Sequence, residues 1–403
     1  MDAAGEQNEI VIAGGGICGL ATALALHRKG ISSVVLERSE TLRTTGAAIG
    51  ILPNGWLALD QLGVGSKLRE TALLLHGIQD IWQDKGKQRE TLFGSGEARC
   101  LKRSDLIKTL ADALPVGTIR FGCQVVSVKL DPLTSYPILQ LHDGSSVTAK
   151  VLIGCDGARS VVADFLELKP ANFFTICAVR GFTHFQNGHS FTHELVRMRR
   201  GNILVGRVPI NDETVFWFVA LQLNFMDAKV WGDAELMRQT ALESISGFPA
   251  ELRELVKNSD LKTLSLTHLW YRAPWDVLLA RFRKGTVTVA GDAMHVMGPF
   301  LGQGGSAALE DAVVLARCLA EKMSVVYPIK SGRRQMMVHQ VGEAMDKYLK
   351  ERRKRVVQLS TQSYLTGTLL ETSSLLIKFA CLVFMAIFFS NTSYHTRYDC
   401  GRL

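Results

Sequence analysis

Polar and apolar positions follow three rhythms along this chain, and each rhythm predicts a different kind of element. An unbroken apolar run at 10–13, just after Glu9, reads as a buried parallel strand over 9–13. Leu20, Ala21, Ala23, Leu24 and Leu26 then recur at helical spacing, predicting a helix over 17–28 that Gly30 ends, with a second strand over 33–37. Shorter helices are predicted over 53–62 and over 103–114, the latter with Leu106, Ile107, Leu110 and Leu114 on one face. The middle third changes rhythm. Aromatic and β-branched runs at 202–210 and 214–223 flank Asn211-Asp212-Glu213, which reads as a hairpin turn inside a mostly antiparallel sheet spanning 173–270. A buried strand over 286–291, a helix over 302–321 and a long charged helix over 335–360 follow. Residues 375–389 are apolar except for Lys378. As a helix, these 15 residues reach about 22 Å, short of a ~30 Å hydrocarbon core, so the segment is expected to pack on the protein body or dock at a membrane interface, a full span being the remaining alternative.

Composition narrows the class. The chain has 403 residues, 47% apolar and 21% charged, enough for a sizeable core and two domains. Its formal charge of +8 comes without a basic and aromatic stripe, so nucleic-acid binding is not expected. The basic run at 347–355 reads as the solvated face of a helix. Eight cysteines without a Cys-x-x-Cys pair suggest reduced thiols, a cytoplasmic setting and no metal site. The N-terminal residues carry no recognisable signal or transit sequence.

Three separated motifs carry the chemistry. Gly14, Gly16 and Gly19 stand between the first strand and helix, the context of a dinucleotide-binding turn, with Ile17 and Cys18 opening the helix whose N-terminus would face a pyrophosphate. Glu37 ends the second strand, placed to accept hydrogen bonds from a ribose diol and to repel a 2′-phosphate. The second motif is Gly154-Cys155-Asp156-Gly157. The third is Gly291-Asp292-Ala293-Met294-His295, followed by Pro299 and Gly302-Gln303-Gly304-Gly305. Asp292 is poised to bond a polyol such as a ribityl chain, and the glycine-rich helix start to face an electron-rich ring. His295 is expected to be a structural histidine.

Together with Ala158-Arg159-Ser160 and the run from Gly298 to Gly304, these motifs resemble the single-component FAD-dependent aromatic hydroxylases of the p-hydroxybenzoate hydroxylase fold. Within that group the chain is similar to plant FAD-dependent monooxygenases related to salicylate hydroxylase, an impression strengthened by residues 46–55 and by His395 to Gly401. The resemblance implies an α/β protein, α+β overall. A Rossmann-like FAD-binding domain (1–75, 98–172 and 271–334) would carry a mostly antiparallel β-sheet substrate domain (76–97 and 173–270) and C-terminal helices with an apolar tail (335–403).

It further implies that Glu37 and Arg38 meet the adenosine end of FAD. Arg43 and Arg103 would approach the pyrophosphate or ribityl region, with Asp156 near FAD and the route of NAD(P)H. Asp292 would hold the ribityl chain, and Pro299, Gly302, Gln303 and Gly304 would line the flavin. Phe191, Phe216, Phe218 and Phe300 are candidates for the substrate lining. The expected activity is that of a flavin monooxygenase using NADPH or NADH and O2, in which a flavin C4a-hydroperoxide hydroxylates a small aromatic or terpenoid-like substrate. The alternatives are a membrane-associated flavin epoxidase or reductase on an isoprenoid or lipid, and a non-turnover FAD-binding receptor. One departure stands out: Ala163 occupies a position where the family usually carries an arginine linked to the pyridine nucleotide.

Overall fold

The first strand, Glu6–Ala13, occupies the middle of an eight-stranded sheet because both of its faces are apolar: Ile10, Val11, Ile12 and Ala13 are almost completely buried. It pairs in parallel with Ser146–Gly154 on one side and Val34–Leu36 on the other. Parallel pairing continues outward to Val287–Val289 and to Ile119–Arg120. The computed structural model describes residues 6–42, 47–93, 96–222, 231–323, 333–389 and 394–403. The helix Ile17–Arg28 is buried all round from Ile17 to Leu26, as its nearly continuous apolar sequence requires, and packs beside the helix Gly304–Met323 in the main core.

A second sheet has seven strands in the order Ser265–Tyr271, Asn172–His184, Thr214–Gln222, Ile203–Pro209, Glu194–Arg200, Gly77–Trp82 and Lys87–Leu92. All its pairings are antiparallel except that of Glu194–Arg200 with Gly77–Trp82. The predicted hairpin turn is closed by Asn211, whose Oδ1 accepts from the amides of Glu213 (3.1 Å) and Thr214 (2.7 Å). Period-two alternation sorts the faces of Thr214–Gln222. Val215, Trp217 and Val219 sit beneath the helices Ala234–Ser244 and Ala250–Lys257, while Phe216, Phe218 and Ala220 point to the opposite face.

The long helix Arg333–Glu371 runs along both layers, and Leu375–Phe388 folds back against its end. Among the described residues, no helix is long and apolar enough to cross a membrane.

The basic run 347–355 corrects the sequence reading. Lys350 and Lys354 are exposed, but Arg352 and Arg355 are buried. Helical spacing turns these two toward Glu310 and Asp311, acids on an otherwise apolar stretch of the neighbouring helix.

Candidate active site

A cleft of about 1440 Å³ lies between the two sheets, and all three sequence motifs reach it. Gly14 is held in the left-handed region (φ 101°), where an added Cβ would lie 2.5 Å from the Cys155 carbonyl oxygen; the fold itself requires glycine there. Gly16 differs. Its backbone is extended (φ −81°, ψ −173°), and a Cβ there would meet nothing within 4 Å. The space beside Gly16 belongs to the cleft, where Ile17 and Cys18 open the helix. Gly304, at the start of the second helix lining the cleft, leaves the same kind of space. Gly19 lies behind the turn and packs against Gly14.

Glu37 is buried and braces the glycine turn, accepting from the amides of Gly15 (2.7 Å) and Ser39 (2.9 Å). Arg38 is exposed at the cleft wall, and Arg103 lines the cleft from the start of the helix Arg103–Asp112. Arg43 lies outside the described residues.

Asp156 Oδ2 accepts from the Val161 amide (2.8 Å), capping the short helix Val161–Phe165 beside the cleft; burial raises its carboxyl above the ordinary range. Ala163 is on that helix but faces the core, with 3% of its surface exposed, so the departure at this position takes no cation from the cleft wall.

Asp292 keeps an exposed surface that opens onto the cleft, while the residues on either side of it are buried. Burial raises its carboxyl, against the opposing pull of His295 and Arg103. The loop carrying it is anchored from behind. Asp311 Oδ2 accepts from the Gly291 amide (2.8 Å) and lies 2.7 Å from His295 Nε2, while Arg352 Nε donates to Oδ1 (2.7 Å). His295 is completely buried and structural. Gln303 turns its side chain inward, accepting from Asn54 Nδ2 (2.8 Å), and does not line the cleft as its neighbours Gly302 and Gly304 do. Pro299, Phe300, Gly302 and Gly304 line the cleft.

The facing wall is apolar: Phe216, Phe218, Leu204, Val208 and Leu269. Phe191 is not part of it. It precedes the strand Glu194–Arg200 instead of lying in one, so no alternation aims it inward; its ring packs on Phe185 and His189 under the Arg207 guanidinium. Two arginines of this sheet were not singled out in the sequence. Arg197 is paired with Asp80 at 2.7 and 2.9 Å. Arg180 donates to Ser265 Oγ (3.0 Å) and is disfavoured as a cation by burial and by Arg103. Arg180 showed only as a polar position between apolar neighbours, and Arg197 lay among the other charges of its strand. The C-terminal residues His395, Thr396 and Arg397 also reach the cleft, with Arg355 donating to the His395 carbonyl (2.7 Å).

A long dinucleotide fits these residues. The open Cβ directions at Gly16 and Gly304 leave room along a cleft that Glu37 and Asp292 also line.

Known proteins share this pattern. The family model described as FAD binding domain matches residues 7–327. Monooxygenase 1 of Arabidopsis thaliana is 51% identical over 401 residues, covering 99% of this chain and 100% of that protein. The 3-hydroxybenzoate 6-hydroxylase 1 of Aquipseudomonas alcaligenes is 31% identical over 80% of this chain and 84% of its own length. Among solved structures, Klebsiella pneumoniae HpxO complexed with FAD and uric acid superposes with a TM-score of 0.77 at 22% identity, covering 98% of this chain and 96% of that one.

Proposed function

The chain belongs to the FAD binding domain family and is an FAD-dependent monooxygenase, and we propose that it hydroxylates a small electron-rich aromatic or similar molecule with NAD(P)H and O2 as co-substrates. The observation that carries this reading is the cleft uniting Gly16, Asp156 and Asp292 opposite a wall of Phe216, Phe218, Leu204, Val208 and Leu269 that also carries Arg180, bonded to Ser265, and Arg197, paired with Asp80. When bound, FAD would supply the redox chemistry of hydride acceptance and O2 activation. The chain supplies position and environment. The amides at Gly16, Ile17 and Cys18 would hold the pyrophosphate. Glu37 and Arg38 would hold the adenosine ribose, Arg103 the middle of the cofactor and Asp292 the ribityl chain. Pro299, Gly302 and Gly304 would border the ring.

Phe216, Phe218 and Phe300 would exclude water beside that ring, and Arg180 would orient an acidic or phenolic group of the substrate. The related hydroxylase named for 3-hydroxybenzoate and the uric acid complex of HpxO support such a substrate. In this reading the eight-stranded sheet and its helices (1–75, 98–172, 271–334) form the FAD-binding unit, and the seven-stranded sheet (76–97, 173–270) the substrate unit.

The test is a panel of phenolic and heteroaromatic acids, scored for NADH or NADPH oxidation, O2 uptake and hydroxylated product. At least one compound should stimulate all three together. Coenzyme oxidation that yields only hydrogen peroxide across the panel counts against the reading. For the cofactor contact, Asp292→Ala should weaken FAD retention by about 1 kcal/mol or more, a fivefold rise in the dissociation constant measured by flavin fluorescence. Unchanged retention removes Asp292 from the cofactor site.

A further inference from the structure

The helix Leu375–Phe388 exposes the part of itself that water should repel. Leu375, Leu376, Phe379, Ile387 and Phe388 are between 64% and 82% exposed, and Ile377, Leu382, Val383 and Phe384 between 40% and 56%. With 3.6 residues per turn, these positions sweep an arc of about 240° around the helix. The remaining sector packs toward the protein and holds Cys381, Met385 and Lys378, so the helix's single charge lies on its inward side. This reverses the usual amphipathic arrangement of a surface helix.

We propose that Leu375–Phe388 is a monotopic membrane anchor that seats the protein on a lipid bilayer surface with the cleft opening beside the lipid. The width of the arc selects the occupant. A partner helix or a second copy of this chain would cover a stripe of roughly 100°. An acyl-chain environment covers the whole apolar sector at once. Length agrees, since 14 residues extend about 21 Å, enough to lie in the interface and too short to cross it. The backbone also tolerates immersion. The helix satisfies its own interior amides, and at its start Ser374 Oγ accepts from the Ile377 amide.

The same helix borders the site. Met385, on its inward side, lines the cleft together with Thr366 and Leu370 of the preceding helix. An anchor here would place the mouth of an apolar-walled cavity against the bilayer, from which a lipophilic substrate could enter without crossing water. The net charge of +8 would add attraction to anionic lipid, but the uncharged arc does not require it.

The experiment is vesicle flotation of the full-length, FAD-loaded protein. Phosphatidylcholine vesicles are compared with phosphatidylcholine mixed with phosphatidylglycerol, and wild type with Leu376→Glu/Phe379→Glu/Ile387→Glu. These three side chains are solvent-facing, so flavin content and melting temperature should match wild type. Wild type should float with both vesicle types, and the triple variant should lose binding to neutral vesicles by at least about tenfold. Three outcomes overturn the proposal: wild type that stays in the dense fraction with both, binding confined to anionic vesicles and equal in the variant, or a vesicle-free dimer by light scattering that the same substitutions dissolve. Flotation reads no turnover, so its failure leaves the monooxygenase reading standing.

Discussion

Arg352→Leu is expected to cost about 3–5 kcal/mol of stability, a large share of the ~5–15 kcal/mol typical of a folded domain. Arg352 has no exposed side-chain surface and lies 2.7 Å from both Glu310 and Asp311, themselves completely buried. Leucine would leave two carboxylates in the core. Glu310 would keep Arg355 (2.9 Å), and Asp311 would keep only His295 and the Gly291 amide.

Because Asp311 anchors the turn that carries Asp292, the variant should also release FAD more readily than wild type at temperatures where it is still folded. Thermal melting and flavin release measure the two effects separately. A melting point equal to wild type would show that the network adds nothing net. Adding Asp311→Asn to the variant should recover part of the loss, since an uncharged acceptor can still serve Gly291.

The pH dependence follows the same groups. Burial alone would raise the Asp311 carboxyl, but His295 and Arg352 overcome it and hold it at about 2. A depressed carboxylate contributes stability that is complete above its unfolded value, ~3.9, and is lost as pH falls toward the folded value. Wild type should therefore keep this contribution down to about pH 4 and lose it progressively toward 2. In Arg352→Leu the folded value rises, so the acid limb of the melting curve should move to higher pH.

That network also marks where the sequence stops being legible. The glycine turn could be read because its determinants are local: an apolar run, three glycines and a helix within 30 residues. In the structure, alternation along the strand Thr214–Gln222 puts Phe216 and Phe218 on the face toward the cleft. Neither kind of pattern tells which helix a cationic face meets, so Arg352 and Arg355 read as solvated. The hint lay elsewhere, in two adjacent acids, Glu310 and Asp311, inside a helix otherwise fit only for the core.

The end of the long helix failed for a related reason. Ser360, Thr361, Gln362 and Ser363 look like a helix terminus, yet the helix continues to Glu371. Thr361 and Thr366 hydroxyls donate to carbonyls one turn back (2.7 and 2.8 Å), and Ser363 donates to Gly298 (2.9 Å). Polar side chains that find such acceptors do not compete with the helix, and this stretch positions Gln362 and Thr366 on the cleft. Arg180 stayed hidden because a single cation in a strand has no period.

Gly16→Leu should give a folded, colourless protein, separating the glycine that serves a cofactor from those that serve the fold. At Gly14 any side chain collides with the Cys155 carbonyl and must adopt a left-handed backbone, so substitution there should lower the stability of the apoprotein itself. At Gly16 neither constraint operates: the backbone is extended, and the added atoms enter open cleft. The chain therefore offers no internal reason for glycine at this position. If a pyrophosphate approaches the helix amides there, a leucine side chain would fill its place, and FAD affinity should fall by at least about a hundredfold, roughly 2.7 kcal/mol.

The apoprotein should melt as wild-type apoprotein does, while the increase in melting temperature that added FAD gives wild type should vanish. Gly16→Ala, with one methyl group, should lose less. The measurements are the ratio of flavin to protein absorbance after purification and the melting temperature with and without added FAD. A yellow Gly16→Leu protein with one FAD per chain would place the pyrophosphate elsewhere. Loss of folding in Gly16→Leu but not in Gly14→Ala would instead make the open space at Gly16 irrelevant to the cofactor.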